Sequence, residues 1–255
     1  MNEFCAGARI QLRLFRRNPG HLLVFTTIPF FSAIFLSSLN AADRTDLAPY
    51  AVIAPTLMAL WLVSLDLAGS VIDDDREEGM LELFTASPAN LSLMLTGRVL
   101  VVSAAGLLAF AEAALTARMF FGIPLPTAHP WHILATLAAT VLTTAGTATV
   151  MAGAFVTARS AKQFANALGY PFYVLGGVLV PVTFLPLWIR PVSWFIYLYW
   201  SADLLRSSTD PAPVEDFGAR LGALCLLGGV SFGLGILVVN RFVCRARAHG
   251  ITGTE

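Results

Sequence analysis

Apolar residues run along this chain in long blocks, separated by short polar stretches, with no strict alternation of the strand kind and no narrow amphipathic stripe except at the N-terminus. A membrane-crossing helix needs about 20 mainly apolar residues at about 1.5 Å rise each. Six blocks meet that length, at about 21–39, 49–71, 99–121, 131–157, 164–187 and 219–240. A seventh run, Trp188 to Trp200, has thirteen residues and is interrupted by Arg190, Pro191 and Ser193. It is too short and too broken to span, which predicts an outer re-entrant or interfacial segment over 188–206. Residues 1–18 read differently. Phe4, Ala8, Leu12 and Phe15 share one helical face and Arg9, Arg13 and Arg16 another, predicting an amphipathic helix along the inner membrane surface. The expected fold is an all-α membrane protein, a single transmembrane domain over 1–255 with six transmembrane helices.

Composition agrees with the block pattern. Of 255 residues, 56% are apolar and 13% charged, too few charges to clothe a soluble domain. The net charge of zero gives no electrostatic case for a nucleic-acid partner. Arg9, Arg13, Arg16 and Arg17 followed by an apolar run resemble a secretory leader, but the many later spans favour an uncleaved first span. With both termini in the cytosol, eleven Lys and Arg residues fall inside and five outside, the positive-inside bias expected of a multi-pass protein of the cytoplasmic membrane. Trp131, Trp188, Trp194 and Trp200 then sit at the outer interface, where amphipathic rings collect. Cys5, Cys225 and Cys244 lack the close spacing of a disulfide framework or zinc site and read as unpaired thiols.

The connection between spans two and three, 73–98, is the most informative stretch. Its acidic cluster leads into a short apolar turn in which Glu77, Leu81 and Phe84 could share a helical face, and Ser87-Pro88 has the chemistry of a helix start. A small helix of this kind, held by two long membrane helices, suits docking into another protein's groove. Its acids disfavour simple rest on an anionic leaflet. Arg76-Glu77-Glu78-Gly79-Met80-Leu81-Glu82-Leu83-Phe84 through Pro88 resembles the loop signature of ABC type-2 exporter permeases. Pro171, Gly176-Gly177, Pro181, Leu185-Pro186 and, further on, Tyr199, Ala202, Asp203, Leu204 and Arg206 resemble that family's C-terminal signature.

The resemblance implies a transport subunit, with no catalytic residue, that pairs with a second permease and with ABC ATP-binding subunits, in contact with membrane lipid. It implies an ATPase-coupling role for Glu77, Glu78, Gly79, Leu81, Glu82 and Phe84. It implies a pathway walled by spans two and five, with Asp66, Phe172, Tyr173, Gly176 and Gly177 as lining candidates and Pro181, Leu185 and Pro186 at an outer gate. Phe172-Tyr173, between Pro171 and the glycines, departs from the pattern and bulks up that wall. No cofactor is expected in this chain; ATP and magnesium belong to the partner. Independently, a phosphate loop needs a lysine after glycine, and around the sole lysine, Lys162, those glycines are Val156 and Ala161. The histidines, His21, His129, His132 and His249, offer at best one close pair, so no metal site is expected, and no G-x-S-x-G run occurs.

The implied function is ATP-driven export of a hydrophobic or amphipathic compound: a drug, natural product, lipid or lipid-linked glycan. Two rivals stand beside it. Asp66 and Glu112, ionisable groups in or near spans, could serve as relays of a proton-coupled carrier, although Glu112 reads first as a structural pairing within the bundle. A scaffold or immunity protein without transport is the other.

Overall fold

The structure is a computed structural model and describes residues 2–17, 26–43, 47–77, 91–123, 128–157 and 161–249. Among these there is helix and no strand. The helices are α1 (Asn2–Arg17), α2 (Thr27–Ala41), α3 (Ala48–Glu77), α4 (Leu91–Ala105), α5 (Leu107–Phe121), α6 (Pro130–Thr157), α7 (Ala161–Leu175), α8 (Arg190–Ser193), α9 (Tyr197–Thr209) and α10 (Phe217–His249).

Among the described residues, four stretches are long and apolar enough to cross a membrane: Ala48–Leu65, Ser92–Phe121, Pro130–Gly153 and Phe217–Arg241. The second joins α4 and α5 through Gly106, whose right-handed backbone keeps the rod nearly continuous. A Cβ there would come 2.5 Å from Leu60 Cδ2 on α3, so glycine is what lets the two helices close up. The remaining apolar blocks are shorter as helices than as hydropathy blocks. α2 has 15 residues, about 22 Å. The block expected over 164–187 is helical only to Leu175.

The stop after Leu175 has a local cause. Gly177 takes a left-handed φ of 67°. Its N–H donates to Val174 O (3.1 Å) while Val178 N–H donates to Tyr173 O (2.9 Å), the paired bonds of a Schellman cap. The chain then turns through a 3-10 segment, Val182–Phe184, and the four-residue α8 before α9. Segment 188–206 therefore contains no continuous rod of spanning length.

One more boundary differs from expectation: the acidic run Asp73 to Glu77, expected in the loop over 73–98, continues α3. α4 is under way by Leu91, and the helix start expected at Ser87-Pro88 lies outside the described residues. Hydropathy marks where a helix leaves the apolar layer; it does not mark where the helix ends. Arg98, expected as a loop charge, lies within α4 and is 4% exposed.

A large core gathers Ile53, Leu57, Leu60 and Trp61 of α3, small residues of α6, and Leu198, Leu204 and Leu205 of α9. A second core packs α2 and α3 against Ala109, Ala113 and Ala117 of α5. α6 and α10 run parallel, with Thr143 beside Gly228, Gly146 beside Phe232, Thr149 beside Gly235 and Gly153 beside Val238. Antiparallel to both, α9 meets α6 through Thr140 Oγ1 to Ser201 Oγ (2.9 Å) and Thr144 Oγ1 to Tyr197 Oη (3.0 Å).

α1 is helical as expected, but its inward face is centred elsewhere. Gly7 meets the Met94 carbonyl and Gly97 the Phe4 carbonyl so closely that neither position has room for a methyl group. Gln11 is buried and accepts from Arg98 Nε at 3.4 Å. Leu12, expected on the same face as Phe4 and Phe15, is half exposed, because the glycines pull α1 backbone-to-backbone onto α4 and turn the helix about that line.

Candidate functional site

Antiparallel α3 and α7 pack along a seam on which two cavities follow one another. The first, of about 360 Å³, lies between α2, α3 and α7 and is almost wholly apolar: Phe31, Pro55, Met58, Leu62, Leu65 and the rings of Tyr170 and Tyr173 form its wall. Pro55 and Pro171 each remove a backbone donor from their helix, which loosens the ladder on both sides of this cleft. Tyr173 is buried and donates its hydroxyl to Met58 O at 3.2 Å, tying α7 to α3. Phe172 turns the other way and stacks on Trp61 at 4.7 Å between ring centroids. Trp61 also tilts against Tyr197 at 6.0 Å, so the bottom of the cleft rests on an aromatic pile shared by three helices. Asp66 follows Leu65 on α3, at the end of this wall; its side chain lies outside the described ones.

The second cavity, of about 840 Å³, opens beyond the glycine cap of α7. Gly176, Gly177 and Pro181 form one side, Tyr50 of α3 another, and Tyr199, Asp203 and Arg206 of α9 a third. Gly176 is needed for closure, since a Cβ there would sit 2.7 Å from that of Leu198. Leu185 and Pro186 do not line the cavity. Instead, Leu185 O and Thr183 O accept from Arg190 Nε (3.0 Å) and Nη2 (2.6 Å), which folds the 182–190 turn onto itself beside the cavity, with Val182, Thr183 and Arg190 on its wall. Arg206 donates to Val178 O at 2.9 Å and lies 4.3 Å over the Tyr50 ring, joining the ends of α3, α7 and α9. Burial pushes its guanidinium below the ordinary arginine value, opposed by Tyr50 and Asp203. Asp203 is itself bonded by Arg220 Nη1 of α10 at 3.2 Å.

The coupling candidates are split by the limits of description. Glu77 ends α3, while Glu78, Gly79, Leu81, Glu82 and Phe84 lie outside the described residues, as does the helix start expected at Ser87-Pro88. Glu112, read as a structural pairing, has a buried Oε2 with no hydrogen-bond partner among the described residues. His129 bonds Ala212 O at 3.1 Å and His132 meets the Phe217 ring edge-on, so both pack the join between α6 and α10. Among the described residues no three His, Cys, Asp or Glu side chains group as metal ligands. All three cysteines are exposed and unpaired.

The description "ABC-2 type transporter" belongs to a family model that matches residues 2–209, through α1 to the end of α9. The chain belongs to the ABC-2 type transporter family. No curated protein matches it. As an ABC-2 permease it is a multi-pass membrane protein and a transport component, and permeases of this family work with an ATP-binding subunit. The matched stretch contains both cavities' α3 and α7 walls and the whole of α9. Sequence reasoning missed Trp61, Tyr50 and Tyr170 as wall residues of this permease. For Trp61 a signal existed, since it is the one tryptophan apart from the interfacial set.

Proposed function

We propose that this ABC-2 permease is the membrane half of an ATP-driven exporter that moves a hydrophobic or amphipathic compound out of the cell. In this reading six spans cross the cytoplasmic membrane with both termini in the cytosol, and α1 lies at the inner surface. A dimer with a second copy or a homologue encloses the path. ATP and magnesium are held by the partner subunit. That subunit presses on Glu77, Glu78, Gly79, Leu81, Glu82 and Phe84, and α3, which leads straight from Glu77 to the apolar cleft, carries the movement inward.

The observation that carries the reading is the pair of cavities in file along the α3–α7 seam, apolar first and polar at the glycine-capped end. A solute with a large apolar part is accommodated by Phe31, Met58 and Tyr173 without unmatched hydrogen bonds, and meets charged groups only at the far end. The parallel packing of α6 and α10 fits an odd number of crossings between them; in this reading α7 is that crossing, while α9, antiparallel to both but only 13 residues long, belongs to the outer re-entrant segment. The test is uptake of a fluorescent amphiphile into proteoliposomes containing the chain and its ATP-binding subunit. Transport should need ATP and that subunit together. Full-rate transport by the chain alone would overturn the proposal.

A proton-coupled carrier is the second reading, and the unpartnered buried Oε2 of Glu112 favours it. It requires transport driven by a proton gradient without ATP, lost in Glu112→Gln or Asp66→Asn.

A further inference from the structure

The outer cavity gathers four charged side chains whose partners are unequal. Two arginines and two aspartates line it. Asp203 is bonded by Arg220, and Asp210 accepts the Ala212 N–H at 3.1 Å. Among the described residues the direct contacts of each arginine are neutral: Arg190 has the carbonyls of Leu185 and Thr183, and Arg206 has the carbonyl of Val178 and the face of Tyr50, with Asp203 acting on it only through space. Arg206 Nε, moreover, is buried and bonds nothing among the described residues. A guanidinium half removed from water favours an oxyanion, which the cavity-facing part of its fork can bind through charge and hydrogen bond together. Around the mouth, Phe184, Leu187, Trp188, Trp194 and Phe195 are largely exposed, an apolar apron beside a polar well.

From this we infer that the outer vestibule is a binding site for the acidic head group, phosphate or carboxylate, of an amphiphile whose apolar chain lies over the 184–195 apron. Arg206 receives the oxyanion, Tyr50 holds the guanidinium in place from below, and Arg190 adds a second positive charge at the rim. Asp203 works against the anion, and its bridge to Arg220 limits that opposition. The site stands on the geometry; its meaning as the last station of an exported molecule rests on the permease reading.

The experiment uses the purified full chain in dodecyl maltoside without its ATP-binding partner, titrated calorimetrically with dihexanoyl phosphatidic acid, dihexanoyl phosphatidylcholine and inorganic phosphate. Phosphatidic acid should bind about tenfold or more tighter than either of the others, since a charge-assisted contact and an apolar contact are then both made. Arg206→Gln should remove about tenfold of the phosphatidic acid affinity and leave phosphatidylcholine unchanged. Asp203→Asn should tighten phosphatidic acid, a shift that a purely structural Arg206 does not produce, and it decides the matter if Arg206→Gln fails to fold. Equal affinity for the two lipids overturns the charged head group, and inorganic phosphate binding as tightly as phosphatidic acid overturns the apolar share. Because no transport is measured, a chain that binds without exporting, or exports without binding, separates this inference from the permease proposal.

Discussion

Gly7 and Gly97 are the two positions where a single methyl group has most to displace, because what it would meet is backbone of the opposite helix. A side chain can rotate away; a carbonyl inside a helix cannot. Gly97→Ala should therefore cost about 1–3 kcal/mol by overpacking. A fall of several degrees in the thermal midpoint in detergent would register it. Tyr173→Phe isolates a different quantity. The ring stays in the cleft and only the bond to Met58 O is lost, worth about 1 kcal/mol, so stability should drop slightly while transport of an amphiphile continues. Tyr173→Ala should open the cleft and alter which compounds are carried, read as a changed ranking in a competition assay. Single residues were unevenly legible beforehand. Gly176, Gly177 and Pro181 are recognisable from their punctuation of an apolar block and do line the vestibule. Leu185 and Pro186 come from the same stretch but do not line it, because the 182–190 turn closes on backbone carbonyls bonded by Arg190, which no residue pattern reveals.

At the level of elements, the apolar blocks anticipated an all-helical chain and misplaced several helix ends. Apolar blocks record contact with an apolar surround, and a helix outlives that contact whenever its polar continuation can stay hydrogen-bonded, as Asp73 to Glu77 do in α3. The reverse happens at α7, where the block is apolar to Leu187 but the backbone stops helical turns at the glycine cap. Gly177→Ala puts a Cβ on a left-handed residue and 2.8 Å from Val182 Cγ2. It should cost about 1–2 kcal/mol and loosen the turn that shapes the vestibule, visible as faster hydrogen exchange over 176–184. The bridge between Asp203 and Arg220 joins α9 to α10 but is more than a third exposed on the acid side. Its loss in Asp203→Asn should change stability by less than about 1 kcal/mol, which is why that variant serves as a clean probe of charge in the vestibule.

For the whole molecule, orientation is the property with most leverage, and the native thiols report it. Cys5 on α1 and Cys244 near the end of α10 are exposed, and the proposed topology puts both in the cytosol. A membrane-impermeant maleimide should label neither in intact cells and both after permeabilisation, whereas Cys225, exposed on an apolar stretch of α10, should resist in both. Labelling of Cys244 from outside intact cells would refute the even number of crossings. Fold class was readable from block lengths alone, because lipid imposes a length that soluble cores do not. The two cavities were not, since a void is a property of how helices miss one another and has no residue of its own.

Threonine and glycine alternate where α6 meets α10, and each glycine there accepts its neighbour with nothing to spare. Slippage of one helix along the other would drive Thr143 or Val238 into backbone at every step, so this pair moves as one plank. Along α3 and α7 the packing is interrupted by two empty volumes and two proline-weakened ladders. On the proposed coupling, work delivered at Glu77 would swing α3 and α7 like a door on a fixed post, because the post has no second position to take up.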